Sequence, residues 1–554
     1  MITILDSLFV TLSSLIGASK DEIKLLSSFL LSYPLAALLK RIPDHNRTAK
    51  NVFVISFALF YLVGLFDLWR GLFEVFITAA AAYLISKYIQ GPFMPWIGFV
   101  FLMSHMAINH IKRQHTDRPD LVDITGAQMV LVMKLTAFCW NVHDGRLDPS
   151  TLSTEQKLKM IEKLPSLLDY AGYVLFFPAL FAGPAFDYAD YESYVTSDMF
   201  TTPAPVDPSK KPATRKTRII PRSGKPAATK AVIGLAWIGL FMRMSASYNV
   251  PLLLSAQFGT YTFLRKVWIL YLTGFVMRMK YYGVWSLTEG ACIQSGLGYR
   301  STDPSTGKIS WDRLQNVRPW QMETAQNSRA YLENWNVNTN LWLRNYMYLR
   351  VTPRGTKPGF GSTLATFATS AFWHGFYPGY YLAFLLASFV STVAKNCRRH
   401  VRPFFMSPDG TRALDTKVYY DVFGFVATQA AFSFTVVPFI VLGFADTIAV
   451  WSHLYYYCIF GVAIASAFFA SPGTKWLGRR LKEQNARLSE EVAPSGVEES
   501  RRFPTFGISD NPGEDLDEVM EEMKHQLAAR TDPKVFGPGH SPDQLLKMAY
   551  KKEL

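Results

Sequence analysis

Only four cysteines occur in the 554 residues, Cys139, Cys292, Cys397 and Cys458, and none forms a C-x-x-C or Cys/His spacing. Isolated thiols in mostly apolar surroundings predict packing residues, with neither a disulfide framework nor a metal site. No glycine-rich phosphate loop and no G-x-S-x-G elbow stand out, so the usual motif grounds for a nucleotide cradle or a serine nucleophile are missing. No internal repeat is obvious, which weighs against an inverted-repeat transporter. Charge is scarce, at 18% of residues, where a soluble domain carries roughly 25%. The N-terminus lacks the marks of a cleaved signal peptide: Asp6 interrupts the first apolar run, no basic region precedes it, and no small-residue cleavage site follows.

What is abundant is apolar and aromatic: 49% hydrophobic, 15% aromatic, with a mean hydropathy of +0.09. Residues 52–69, 72–89, 93–111, 124–141, 167–184, 232–255, 261–280, 361–378, 379–394, 421–443 and 447–470 are predominantly apolar. Most approach the roughly 20 residues that a spanning helix needs. Asp67, Glu74, Lys134 and Arg243 fall inside some of them, so those helices are expected to be tilted, broken or turned toward a bundle interior. The expectation is an all-α polytopic membrane protein with about eleven spans, filling residues 1–472. The first span is expected within 23–39, as an uncleaved anchor. Lys40, Arg41, Arg47 and Lys50 follow it and place that loop in the cytosol. Asn46-Arg47-Thr48 has the form of a glycosylation sequon, expected to be unmodified on that side.

The net charge of +14 is uneven. Residues 209–230 read SKKPATRKTRIIPRSGKPAATK. Such a segment is either a cytosolic loop obeying the positive-inside tendency or an attractor for anionic headgroups and acidic substrates. It has no interleaved stacking aromatics, so no nucleic acid is expected. Residues 473–554 form a polar cytosolic tail. Leu516, Val519, Met520, Met523 and Leu527 sit at helical spacing within it. Its end, Lys551-Lys552-Glu553-Leu554, has the form of a dilysine retrieval signal read in the cytosol, which predicts the endoplasmic reticulum membrane.

Two segments carry chemistry. Ala371-Phe372-Trp373-His374-Gly375-Phe376-Tyr377-Pro378-Gly379-Tyr380 places one histidine inside a long apolar run. Upstream lies Glu333-Asn334-Trp335-Asn336-Val337-Asn338-Thr339-Asn340-Leu341-Trp342. Ionisable groups retained at membrane depth are functional candidates, and imidazole is the side chain best suited to move protons near neutral pH. His105 and His143 also lie in or near apolar windows, where a structural role is expected.

Trp373-His374-Gly375 through Pro378-Gly379-Tyr380 resembles the W-H-G-x-x-P-G-Y motif of the membrane-bound O-acyltransferases, in their lysophospholipid acyltransferase branch. Trp335-Asn336, with Trp342 following, is similar to the family's asparagine segment. Ser310-Trp311-Asp312, Tyr282-Gly283-Val284-Trp285, Glu289-Gly290-Ala291-Cys292 and Gly183-Pro184-Ala185-Phe186-Asp187-Tyr188 agree with it. The resemblance covers most of residues 90–470 and is closest to the fungal broad-specificity type.

The resemblance implies acyl transfer from acyl-CoA, as co-substrate, to a lysophospholipid, with no bound cofactor and with membrane lipids as surroundings. A glycerol hydroxyl is a poor nucleophile until a base takes its proton, and His374 is the candidate base. The tetrahedral anion then needs a fixed donor. Asn336 is the candidate, either for that role or for orienting the hydroxyl, with Asn338 and Asn340 as competitors. The CoA thiol, with a pKa of about 8.5 by analogy with cysteine, leaves readily. Direct attack therefore suffices.

Trp335, Trp342 and Trp373 are candidates for lining the substrate path. Arg344 and Arg350 either meet CoA phosphates or snorkel from an interfacial helix. Glu289 is either salt-bridged or a headgroup contact. The bundle is expected to enclose a catalytic chamber, open to the cytosol and sideways to the membrane. Two other classes remain: a neutral-lipid, sterol or protein acyltransferase of the same superfamily, and a transporter. The absence of an F-Y-x-D-W-W-N segment disfavours the sterol and diacylglycerol branch.

Overall fold

The computed structural model describes residues 2–116, 122–201, 219–303, 306–353 and 359–491. The chain divides into two units, Met1–Ala493 and Pro494–Leu554. The helical spacing at 516–527 and the terminal lysines lie outside the described residues, as do residues 209–218 of the basic stretch. Among the described residues the protein is helical, apart from an antiparallel pair, Ser301–Thr302 with Ile309–Ser310, and one bridge between Met406 and Ala413.

Local chemistry sets the first helices. Ser19 opens Lys20–Leu39 with a reciprocal capping box to Glu22, and Lys24 pairs with Asp6 at 2.6 Å. Asn46 of the sequon caps Arg47–Leu59, its side chain accepting from the Ala49 amide. Lys50 is buried, donating to the Asp44 and Val195 carbonyls at 2.9 Å each.

Five described helices are long and apolar enough to cross a membrane: Lys20–Leu39, Arg47–Leu65, Trp69–Tyr88, Gly224–Leu253 and Lys417–Val441. Phe444–His453 and Tyr457–Ala470 make a sixth if the pair, bent by 81°, counts as one span. The other apolar windows do form helices, among them Met94–Gln114, Thr125–Asp144, Phe263–Ser295, Phe360–His374 and Pro378–His400. These are shorter or carry more polar groups. Thr125–Asp144 is instructive: sixteen of its 20 residues are buried, including Gln128, Lys134, Asn141 and Asp144. A helix buried on all sides within protein can carry polar groups that lipid would not accept.

Close packing locks the long helix Phe263–Ser295 to Gly224–Ser245. A Cβ on Gly234 would lie 3.0 Å from the Gly283 carbonyl, and one on Gly283 would lie 3.0 Å from that of Gly234. Small residues at this crossing let the backbones approach. The main core is rich in rings, including Phe138, Tyr173, Phe176, Phe186, Tyr188, Tyr191 and Tyr194. The Gly183–Tyr188 segment anchors here. Asp187 accepts from the Tyr346 hydroxyl at 2.6 Å and from Asn141 at 3.2 Å, and Lys159 pairs with it at 3.0 Å. Cys139, Cys292 and Cys458 are buried thiols and Cys397 is half-buried.

Candidate active site

The helix Phe360–His374 stops at the histidine. Gly375 follows at φ +120°, outside the range other residues adopt comfortably. The next helix restarts at Pro378, in the first position where a missing N–H costs nothing. Gly379 must be glycine for another reason: a Cβ there would lie 1.9 Å from the Pro438 carbonyl. Its N–H donates to the Leu442 carbonyl at 2.9 Å. The H-G-x-x-P-G run is thus a sharp break between two helices, braced on the end of Lys417–Val441.

The break leaves the His374 imidazole half-buried among rings. Phe439 lies 4.8 Å from it edge-on, Phe384 stacks at 5.3 Å, and Tyr380 is at 5.6 Å. Trp373 packs edge-on at 4.7 Å. Neither ring nitrogen makes a hydrogen bond to any described residue. Among the described residues no side chain or backbone group competes for its ring nitrogens.

Asn336 stands at the start of the helix Val337–Leu343 with φ +45°, a left-handed position that asparagine tolerates better than most residues. Its amide orientation follows from its neighbours. The Asn338 backbone N–H, which can only donate, points at Asn316 Oδ1 at 3.1 Å. Asn316 Nδ2 is then the group that meets Asn336, donating to its Oδ1 at 3.1 Å. Thr339 Oγ1 lies 2.9 Å from the same oxygen. Asn336 Nδ2 remains free of described partners. The other two asparagines are occupied: Asn338 donates to Asn316 Oδ1, and Asn340 donates to the Leu332 and Trp335 carbonyls.

The buried helix Thr125–Asp144 brings the two segments together. Trp373 Nε1 donates to the Met129 carbonyl at 3.0 Å, Thr339 Oγ1 lies 3.3 Å from Met133 Sδ, and Trp342 Nε1 donates to Thr136 Oγ1 at 2.9 Å. Residues 129, 133 and 136 form one face of a helix. The anchors beside His374 and Asn336 are four residues apart, about 6 Å along the axis. The Trp342 and Trp373 rings lie 6.3 Å apart.

The remaining candidates lie around this core. Trp335 packs against Tyr281, Tyr282 and Trp285. Arg350 forms a two-pronged ion pair with Asp144 and covers the Trp140 ring at 4.2 Å. Arg344 is exposed and has no described partner. Glu289 is buried and paired with Lys230 at 2.8 Å. That pair borders a cleft of about 460 Å³, lined also by Lys225, Thr229, Trp311 and Gln315. His105 holds Glu74 at 2.7 Å and Thr78 at 3.0 Å, and His143 lies 3.7 Å from Asp144. His105 is thus hydrogen-bonded on both ring nitrogens, whereas His143 Nδ1 is buried with no hydrogen-bond partner among the described residues.

Sequence reasoning missed Asn316, Phe384, Phe439 and His110. Phe384 follows Tyr380 by four residues, a helical spacing that points to the same face. The others approach only through tertiary folding.

The His374 break and the Asn336 segment are therefore framed by one buried helix, each presenting a polar group with no described partner. The family model of MBOAT, the membrane-bound O-acyltransferases, matches residues 119–437, and the chain belongs to that family of acyltransferases. It is 43% identical over 484 residues to the lysophospholipid acyltransferase of Schizosaccharomyces pombe, covering 87% of this chain and 93% of that one. It is 42% identical over 467 residues to the lysophospholipid acyltransferase of Saccharomyces cerevisiae, covering 82% and 75%. To membrane-bound glycerophospholipid O-acyltransferase 1 of Mus musculus it is 30% identical over 464 residues, covering 80% and 89%.

Proposed function

We propose that the protein is an acyl-CoA-dependent lysophospholipid O-acyltransferase of the endoplasmic reticulum membrane. The observation that carries the reading is the His374 imidazole, free of described partners in its ring-walled break. His374 takes the proton of the free glycerol hydroxyl as its oxygen attacks the thioester carbon. The Asn336 amide donates to the carbonyl oxygen as it becomes anionic, in the manner of an oxyanion hole. The tetrahedral species collapses with loss of the carbon–sulfur bond, and the CoA thiolate takes the proton back from His374. The products are a diacyl phospholipid and CoA.

The access routes follow from the chemistry. CoA is polar and arrives from the cytosol, while the lysophospholipid arrives sideways from a leaflet. The cleft bordered by Lys225, Lys230 and Trp311 is of a size suited to small ligands. Gln315, one residue before Asn316, forms part of its wall. Arg344 is available to a phosphate, whereas Arg350 serves by holding Asp144. The buried helices join the five or six apolar ones as spans, about eleven in all. The polar tail begins near residue 472, and its first helix, Gly473–Glu491, is held to the body where Gln484 donates to the Phe404 carbonyl at 2.8 Å.

The test is transfer of labelled acyl chains by purified full-length protein to a panel of lysophospholipids, with diacylglycerol and sterol alongside. The proposal expects product with lysophospholipid acceptors. Product only with diacylglycerol or sterol would favour the neutral-lipid reading. No turnover with any of these acceptors, together with solute flux in vesicles, would favour a transporter.

The tail carries a separate expectation. Retrieval signals are receptor-read addresses and add nothing to anchoring. Lys551→Ser with Lys552→Ser should therefore shift an N-terminally tagged protein out of the reticulum, as imaging reads it. Activity in isolated membranes should stay at the wild-type level. Unchanged reticular staining would mean that the spans alone retain it.

A further inference from the structure

We propose that His110 is a positioning residue that fixes where the His374 imidazole stands. The inference rests on the reading of His374 as the base. His110 sits in Met94–Gln114 and is 8% exposed. Its Nε2 donates to the Trp373 carbonyl at 3.0 Å, across 263 residues of sequence. A carbonyl only accepts, so Nε2 carries the proton. The opposite edge of the ring lies against Gly375: a Cβ there would be 3.1 Å from His110 Nδ1 and 3.3 Å from its Cγ. The ring thus touches backbone on both sides of His374.

The end of a helix explains why such a group is needed. The last carbonyls of a helix have no partner within it. Here the Gly375 N–H serves the Ala371 and Phe372 carbonyls, at 3.2 and 3.1 Å. The chain then turns away at Gly375, so the Tyr377 N–H, four residues on, makes no hydrogen bond back to the Trp373 carbonyl. The Trp373 carbonyl is served from outside, by His110. The turn that carries His110 is itself tied down: Asn109 donates to Gln128 Oε1 at 2.7 Å. Gln128 adjoins Met129, whose carbonyl holds the Trp373 indole. A closed circuit therefore runs from Trp373 through Met129, Gln128, Asn109 and His110 back to Trp373. His374 is the next residue along the chain.

His110 is not a catalytic residue, since its donor is spent on the backbone. Its role is accuracy. A base works within about 2.6–3.2 Å of the proton it takes, and a misplacement of about 1 Å can cost on the order of a hundredfold.

The experiment compares His110→Leu, which removes the donor, with His110→Gln, whose amide nitrogen reaches the place of Nε2. Purified full-length variants in lipid nanodiscs are assayed for kcat and for KM of both substrates. The rate at which diethyl pyrocarbonate modifies His374 is read in parallel by mass spectrometry. Positioning predicts a kcat loss of about tenfold to a hundredfold in His110→Leu. It also predicts KM values close to wild type, an altered His374 labelling rate, and substantial recovery of both readouts in His110→Gln. Wild-type kcat and labelling in folded His110→Leu would overturn it. So would a folded His110→Gln as impaired as His110→Leu, or a loss confined to yield and Tm. The two readings separate cleanly. If His374→Ala kept its turnover while His110→Leu still changed His374 labelling, the base assignment would fall and the positioning role would stand.

Discussion

His374→Ala is expected to abolish acyl transfer while leaving a folded, membrane-inserted protein. The side chain makes no hydrogen bond to a described residue, so its removal strands no buried partner. What is lost is ring packing against Phe384 and Phe439 and, on the proposed mechanism, the group that accepts the hydroxyl proton. Loss of a general base costs about 10²–10⁴ in rate, and a cavity in the ring wall that admits water would add to it. The check is turnover per folded molecule, with fluorescence-detected size exclusion as the folding control. Near-normal turnover in the purified variant would end the assignment.

Asn336→Ala is expected to lower kcat by roughly 10²–10³, the cost of removing one oxyanion donor, with little change in acyl-CoA binding. Alanine at φ +45° also brings backbone strain. Asn336→Gly, which adopts that conformation freely, separates the two effects: an equal loss in the glycine variant assigns the effect to the missing amide. Asn336→Asp is a sharper probe. It preserves an oxygen for Asn316 and Thr339 to approach and replaces the free NH2 with a negatively charged acceptor that cannot donate to an oxyanion, so it should be at least as impaired as alanine. Asn338→Ala should be milder, because that side chain is spent on Asn316. Full loss in Asn338→Ala beside an active Asn336→Ala would reverse the choice.

The class of the protein was legible in the sequence because apolar runs and a motif are local signals. The H-G-x-x-P-G spacing encodes a helix stop, a glycine turn and a proline restart, and the helices Phe360–His374 and Pro378–His400 follow that pattern. The window over 124–141 was legible as a helix, but its role was not. Residues 129, 133 and 136 act as the frame joining His374 to Asn336 only because indoles and a threonine from 206 to 244 residues away reach them. Length and polar content also separate the helices: Phe360–His374 has 15 residues and Thr125–Asp144 carries Lys134 and Asp144, so five or six described helices are long and apolar enough to span where about eleven were expected.

The ionisable candidates divide by their partners. Glu289 and Arg350 each meet an opposite charge, Lys230 and Asp144, that lies far off in sequence. Arg344 meets none that is described. His110 offered no signal at all, since a histidine one turn from a basic helix end reads as an interfacial residue. Its importance lies in one hydrogen bond to the backbone beside His374.

The central claim is that the acyl chain passes directly from CoA to a lysophospholipid hydroxyl under the action of His374. A single-turnover, rapid-quench experiment tests it most directly, with acyl-labelled CoA and lysophospholipid on purified wild-type protein and on His374→Ala. The account predicts that in the wild type the label moves from CoA to phospholipid with no labelled protein at any time, and that in His374→Ala it stays on CoA. A labelled acyl-protein formed before product, or transfer at the wild-type rate in His374→Ala, would contradict it.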